Sequence, residues 1–106
     1  MKLLVIGDKV VSQALTLVLA EKLRIPVIGC EFSDGLGVFL TESPSHIMIL
    51  FCGELPEADE TLRDIKNTRE PVKILHSGLS TNPSPDYFQM PYDLGKLVAW
   101  LEEKLQ

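Results

Sequence analysis

The sequence predicts an α/β protein in which helices cover both faces of a five-stranded parallel sheet, giving a three-layer α/β/α sandwich. Short apolar runs, such as residues 3–6 and 47–51, alternate with longer segments whose apolar residues recur at helical spacing. A strand in which apolar and polar residues do not alternate has apolar side chains on both faces. Burial of both faces is typical of parallel sheets with helical connections. Right-handed connections between such strands favour the strand order 2-1-3-4-5.

The first half of the chain predicts two strands and two helices. Residues 3–6 form the first strand, and residues 9–23 form a helix that Pro26 ends before a second strand at residues 27–30. Ser33 is expected to cap a short second helix, whose apolar face carries Leu36, Phe39 and Leu40. Two glycines weaken this helix by about 1 kcal/mol each relative to alanine.

The second half predicts three more strands and two more helices. The strands are expected at residues 47–51, 72–75 and 87–89, with a largely polar helix at residues 57–68. The last helix begins near Asp93 and has the cleanest apolar stripe in the chain. The residues of that stripe are Leu94, Leu97, Val98, Leu101 and Leu105.

The connection between the fourth and fifth strands lacks a helical pattern. Between Ser77 and Met90 the chain contains Pro83, Pro85 and several other turn-forming residues. A parallel crossover needs about a dozen residues, so an irregular segment can just make this connection. Regular alternation of strands and helices would place a helix between these strands, but that helix is predicted to be short or missing. Pro91 is expected to close the fifth strand.

Size and composition predict one domain, residues 1–106, in a chain that is 45% hydrophobic with a net charge of -5. This charge argues against a nucleic-acid partner, since such binding needs clustered Lys and Arg. We expect no membrane partner, because no signal-peptide pattern and no membrane-spanning apolar stretch occurs. Cys30 and Cys52 are each expected to end a strand as separate reduced thiols, which predicts a cytoplasmic location.

Several residues at the ends of the predicted strands resemble the receiver domain of two-component response regulators. They are Gly7-Asp8, Cys52 with Pro56, Ser77, and Met90-Pro91-Tyr92-Asp93. At the matching positions the family has an acidic pair that binds Mg²⁺, a phospho-accepting aspartate with a proline four residues on, a Thr or Ser, and Lys-Pro-Phe. The resemblance covers nearly the whole chain and implies the CheY-like, flavodoxin-like fold.

The departures from the family pattern predict a degenerate receiver, or pseudo-receiver. Cys52 stands at the phospho-acceptor position, Gly7 replaces one acid, and Met90 replaces the lysine. Asp8 and Ser77 keep their receiver character, but phosphoryl transfer needs a nucleophile, a metal ion and a fixed cation. One carboxylate is a poor Mg²⁺ site even with Glu54 nearby, so we expect no metal, no cofactor and no enzymatic activity.

The predicted function is a protein-interaction module in signal transduction, present as a monomer or weak homodimer. The predicted partner surface lies around the fifth strand and the last helix and consists of Tyr87, Tyr92, Lys96 and Trp100. Two alternatives remain open. One is a small-molecule or anion site at the loop of residues 77–81, and the other is a structural subunit of a larger assembly, similar in size to the small central-stalk subunit of rotary ATPases.

Cys52 has two interpretations, a small apolar filler or a modifiable thiol. A reactive thiol needs a lowered pKa, and the nearby acids Asp8 and Glu54 are expected to raise it instead. A nucleophilic pair of Cys52 with His76 lacks an evident orienting group. Ser77 is expected to cap a turn, and His46 is expected to be exposed.

Overall fold

The computed structural model describes all residues, 1–106, and it confirms the predicted alternation of strands and helices. One parallel sheet contains five strands in the order β2-β1-β3-β4-β5. The elements are β1 (Leu3–Gly7), α1 (Lys9–Leu23), β2 (Val27–Glu31), a 3₁₀ turn (Phe32–Asp34), α2 (Gly35–Glu42), β3 (His46–Leu50), α3 (Pro56–Thr68), β4 (Lys73–Gly78), β5 (Tyr87–Gln89) and α4 (Leu94–Lys104).

The sheet separates two hydrophobic cores. Alternate residues of the central strands point to opposite faces, so Val5 and Leu50 pack with α1 and α4 while Ile6 and Ile49 pack with α2 and α3. Residues 3–6 and 47–50 are completely buried. This double burial is the reason that these strands read as unbroken apolar runs in the sequence.

Helix α1 and strand β5 occupy the predicted residues, whereas some other boundaries differ. The predicted cap at Ser33 is wrong, because the chain enters α2 from the 3₁₀ turn and no side chain caps the helix. Asp34 already has helical dihedral angles at this point, so no extended residue is available for N-cap geometry. Leu40, predicted on the buried face, is 53% exposed.

The connection from β4 to β5 contains no helix, as predicted. We call residues 79–86 the crossover segment. Its C-terminal part is held by α4 and β4, since Trp100 Nε1 donates to the Pro85 carbonyl at 3.2 Å. Asp86 forms ion pairs with Lys73 at 3.3 Å and with Lys104 at 3.4 Å.

No helix of the structure combines the length and the continuous apolar sequence that crossing a membrane requires.

Candidate functional site

The loop after β3 places Cys52 outside the strand, which corrects the prediction that this cysteine ends it. Phe51 has a left-handed conformation with φ 61°, and its N–H donates to the Ser77 carbonyl at 2.6 Å. The N–H groups of Glu54 and Leu55 then both donate to the Phe51 carbonyl at 3.0 Å. The chain therefore leaves the sheet one residue earlier than predicted, and Cys52 lies in the resulting turn.

The Cys52 thiol is half-buried against the core formed with α2 and α3. Burial, followed by the charge of Asp59, raises its pKa to about 12, while Lys66 opposes the shift. The predicted direction of the shift was right, but the acids named for it, Asp8 and Glu54, are not its causes. The thiol stays protonated at neutral pH, so Cys52 is a poor nucleophile.

Cys30 also lies elsewhere than predicted, inside β2 rather than at its end. Burial is the largest cause that raises the pKa of this thiol to about 11, and Asp34 and Glu31 add to it. Both cysteines are free thiols.

Gly7 and Asp8 both have structural contacts at the end of β1. Gly7 is buried at the end of β1, and a Cβ atom on it would lie 2.5 Å from Leu50 Cδ1 and 3.1 Å from Leu50 Cγ. Asp8 is the N-cap of α1, and its Oδ1 accepts a hydrogen bond from the Val11 N–H at 3.0 Å. The position of the missing acid is therefore filled by Leu50, and the remaining acid stabilises a helix.

Ser77 is fully buried and does not cap a turn, which corrects that prediction. Its Oγ donates to the Phe88 carbonyl at 2.6 Å, and the Tyr92 hydroxyl lies 2.5 Å from the same Oγ. Because the carbonyl can only accept, Tyr92 donates to Ser77. Burial raises the pKa of Tyr92 to about 12. Met90 is also buried, in the core with α1 and α4.

Glu54 has a contact that sequence reasoning missed. Its Oε1 accepts a hydrogen bond from the Ser80 N–H at 2.7 Å, and the Tyr87 hydroxyl donates to the Ser80 carbonyl. Gln89 Nε2 donates to the Leu79 carbonyl at 3.2 Å. The loop after β3 and strand β5 thus hold the N-terminal part of the crossover segment. Glu54 and Ser80 are far apart in sequence, so no local pattern could have indicated this pair.

These contacts weaken the anion-site alternative for residues 77–81. The Ser77 hydroxyl is buried and bonded, and the Ser80 N–H already faces a carboxylate. The negative charge of Glu54 would repel an anion at this loop.

The Mg²⁺ ion that the receiver resemblance implies does not fit the residues present. Asp8 is bonded to a helix N-terminus, Glu54 is bonded to the crossover segment, and Gly7 and Cys52 offer no side-chain oxygen. No three Asp, Glu, His or Cys side chains cluster closely enough to hold a metal ion. Hard cations take six or so oxygen ligands, which this edge does not supply.

The residues of the predicted partner surface differ in accessibility. Lys96 is exposed, Tyr87 and Trp100 are half-buried, and Tyr92 turns its hydroxyl inward to Ser77. The Trp100 ring packs against Phe88 with 5.3 Å between centroids. The accessible part of this surface is therefore Lys96 together with the outer edges of Tyr87 and Trp100.

The two histidines lie within strands, and His46 is less exposed than predicted. His46 is half-buried as the first residue of β3, and its Nδ1 lies 2.8 Å from Ser45 Oγ. His76 lies within β4, where burial, followed by the charge of Lys66, lowers the pKa of its ring. The charges acting on His76 are Lys66 and Asp86.

A parallel sheet in this strand order, with helices on both faces and loops at the carboxyl ends of its strands, defines the CheY-like, flavodoxin-like fold. No protein-family model matches the chain, and no curated protein matches it in sequence. Solved receiver domains do match it in structure. The three described below are 13% to 19% identical to this chain in sequence, so the comparison shows a shared fold.

Three solved structures show the likeness. A CheY-like receiver domain protein from Methanospirillum hungatei JF-1 matches with TM-score 0.75 and 19% identity, over 98% of this chain and 92% of that chain. The receiver domain of a putative Luxo repressor protein from Vibrio parahaemolyticus matches with TM-score 0.75 and 13% identity, over 98% and 88%. The receiver domain of Ssk1 from Saccharomyces cerevisiae, solved with the histidine phosphotransfer protein Ypd1, matches with TM-score 0.61 and 16% identity, over 92% and 83%.

Proposed function

We propose that the chain is a pseudo-receiver, a receiver-like domain that accepts no phosphoryl group and acts in cytoplasmic signal transduction by binding another protein. The observation that carries the proposal is the environment of Cys52, Gly7 and Met90, the three residues at which the chain departs from the receiver pattern. The Cys52 thiol is protonated, Leu50 fills the space beside Gly7, and Met90 lies in the core. Nucleophile, second acid and cation are therefore all missing from one edge of the sheet, so the proposed protein is not an enzyme.

A protein partner is supported by the fold and by the surface. The Ssk1 receiver domain, which shares the fold, was solved in complex with another signalling protein. In this chain the crossover segment replaces a helix beside β5 and α4, where Lys96 and the edge of Trp100 are accessible. We assign partner binding to this region, because aromatic side chains with a polar edge are enriched in interfaces.

Beryllofluoride with Mg²⁺ tests the loss of phosphorylation. The backbone amide NMR spectrum is expected to stay unchanged, because neither the nucleophile nor a metal site is present. The Cys52→Asp variant is expected to stay unphosphorylated by acetyl phosphate, since Gly7 and Met90 still lack the acid and the cation. Cys52→Asn is the matched control, with similar size and no charge. Amide shifts clustered at Cys52 and Asp8, or stoichiometric phosphorylation of the Asp variant alone, would contradict the proposal.

A further inference from the structure

Strand β2 is an edge strand whose outer side has no neighbour in the sheet. The Leu3 N–H donates to the Pro26 carbonyl at 3.0 Å, which sets the pairing of β2 with β1. In a parallel ladder, alternate residues then direct their backbone groups toward the neighbouring strand. Ile28 and Cys30 therefore face β1, and the N–H and carbonyl groups of Val27 and Gly29 face outward.

A groove lies along this free edge, between α1 on one side and the 3₁₀ turn with α2 on the other. Its volume of about 560 Å³ is in the range of binding pockets, about 300–1,000 Å³. Gly29 forms part of the floor, and it lets α1 approach closely, since a Cβ atom there would lie 3.0 Å from the Ser12 carbonyl oxygen. A second, smaller cavity shares Gln13 and Gly29 and extends the groove toward Thr16 and Leu17.

The lining of the groove has more acidic than basic residues, and an exposed leucine lies in the adjoining cavity. Glu31 and Asp34 line it, and neither belongs to the ion pairs of the structure. Lys9 is the one cation on the lining, so the two carboxylates outnumber it. Cys30 lies on the same lining, next to Glu31 in β2. Leu17 is 75% exposed on the α1 side.

We propose that the free edge of β2 binds an extended segment of a partner protein as a sixth strand, with basic residues next to Glu31 and Asp34. Addition of a strand to a sheet edge satisfies the outward backbone groups, and alternate side chains give specificity. The edge lies at the opposite side of the sheet from the partner surface at β5, so this inference does not depend on the proposed function.

A single extended strand suits the groove better than a second copy of the chain does. The floor residues Gly29 and Cys30 are only partly exposed, because helices stand on both sides of β2. A single strand needs only the width of the groove, whereas a second copy would also bring the helices beside its own β2 against those of the first. Each copy also carries a net charge of -5, so two copies repel each other.

A synthetic peptide of alternating valine and threonine, with two lysines at each end, tests the proposal by NMR titration. With lysines at both ends, a basic residue can lie next to Glu31 and Asp34 whether the peptide pairs parallel or antiparallel to β2. Saturable amide shifts are expected at Val27, Gly29 and Glu31. The same peptide with glutamates in place of lysines is the charge control and is expected to bind at least about tenfold more weakly, a difference of about 1.4 kcal/mol.

Two variants of the protein separate edge pairing from charge. Val27→Pro removes an outward N–H at the first residue of the strand, where proline is tolerated, and leaves the bonds to β1 in place. Asp34→Lys reverses an exposed charge that caps no helix. Each is expected to weaken binding of the lysine peptide by at least about tenfold with an unchanged circular dichroism spectrum. Glu102→Lys, at an exposed residue of α4 that does not line the groove, is the charge control and is expected to bind normally.

Three results would overturn the proposal. The first is the absence of shifts at millimolar peptide, and the second is a set of shifts at β5 instead of β2. The third is a wild-type protein that sediments as a dimer, with Val27→Pro making it monomeric, since the edge would then pair with a second copy.

Discussion

At the scale of single residues, Ser77 shows how a polar side chain near the carboxyl end of a strand can become part of the packing. A serine that ends a strand suggests an accessible hydroxyl at the edge of the sheet. The structure instead buries Ser77 completely between the Phe88 carbonyl and the Tyr92 hydroxyl. The hydroxyl joins β4, β5 and the segment before α4, so its role is the attachment of α4 to the sheet.

Substitution of Ser77 by alanine is expected to lower the free energy of unfolding by about 1–3 kcal/mol, because a buried carbonyl and a buried hydroxyl lose their partner. Urea denaturation measures the change. Ser80→Ala is the control, since Ser80 is exposed and contributes only backbone groups. A loss for Ser77→Ala below about 0.5 kcal/mol would show that water or a rearranged Tyr92 replaces the bond.

At the scale of elements, the crossover segment has a defined path without being a helix. Glu54 and Tyr87 hold Ser80 at one end, while Trp100 and the two lysines paired with Asp86 hold the other. Irregular segments usually exchange their amide protons quickly, because few contacts restrain them. Here side chains from β4, β5, α4 and the β3–α3 loop supply the restraint.

Glu54→Ala is expected to release the N-terminal half of the crossover segment without unfolding the sheet. Amide hydrogen exchange at Ser80 should accelerate by about tenfold or more, because the charged acceptor of its N–H is lost. Exchange in β1 and β3 should stay unchanged. Glu54→Gln keeps an acceptor oxygen at the same position and is expected to keep most of the protection. Equal acceleration in both variants would assign the restraint to charge rather than to the hydrogen bond.

The sequence could predict the elements because their signals are local. The helical spacing of residues 9–23 and the prolines of the crossover segment are local signals, and the bounds of α1 and the absence of a helix after β4 match the predictions. The left-handed turn at Phe51 carried no such signal, because a bulky residue rarely adopts it. The contacts of Ser77 and Glu54 join residues 15 and 26 positions apart, and spacing along the chain does not indicate such pairs.

At the scale of the whole molecule, buried ionisable groups limit the pH range of stability. Burial raises the pKa of Cys30 to about 11, and of Cys52 and Tyr92 to about 12. The unfolded chain releases these protons at lower pH than the folded protein does. Burial lowers the pKa of His46 and His76 below 6.5, so the unfolded chain takes up those protons first as the pH falls.

Stability is therefore expected to be highest between about pH 6.5 and pH 9 and to fall on both sides. On the alkaline side the slope is at most about 1.4 kcal/mol per pH unit for each of the three groups. Urea denaturation from pH 5 to pH 11 measures the profile. Cys52→Ala should make the alkaline slope shallower, because one of the groups is gone. A profile that is flat from pH 9 to pH 11 would contradict the raised pKa values.

The contact between Gly7 and Leu50 links the residues that fit at position 7 to the residue at position 50. A Cβ atom at position 7 would lie 2.5 Å from Leu50 Cδ1 and 3.1 Å from Leu50 Cγ. A side chain at position 7 therefore needs Leu50 to shift or to be replaced by a smaller residue. Under the proposed pseudo-receiver function, an experiment that restores an acid at position 7 has to change residue 50 as well, although Leu50 takes no part in phosphoryl chemistry.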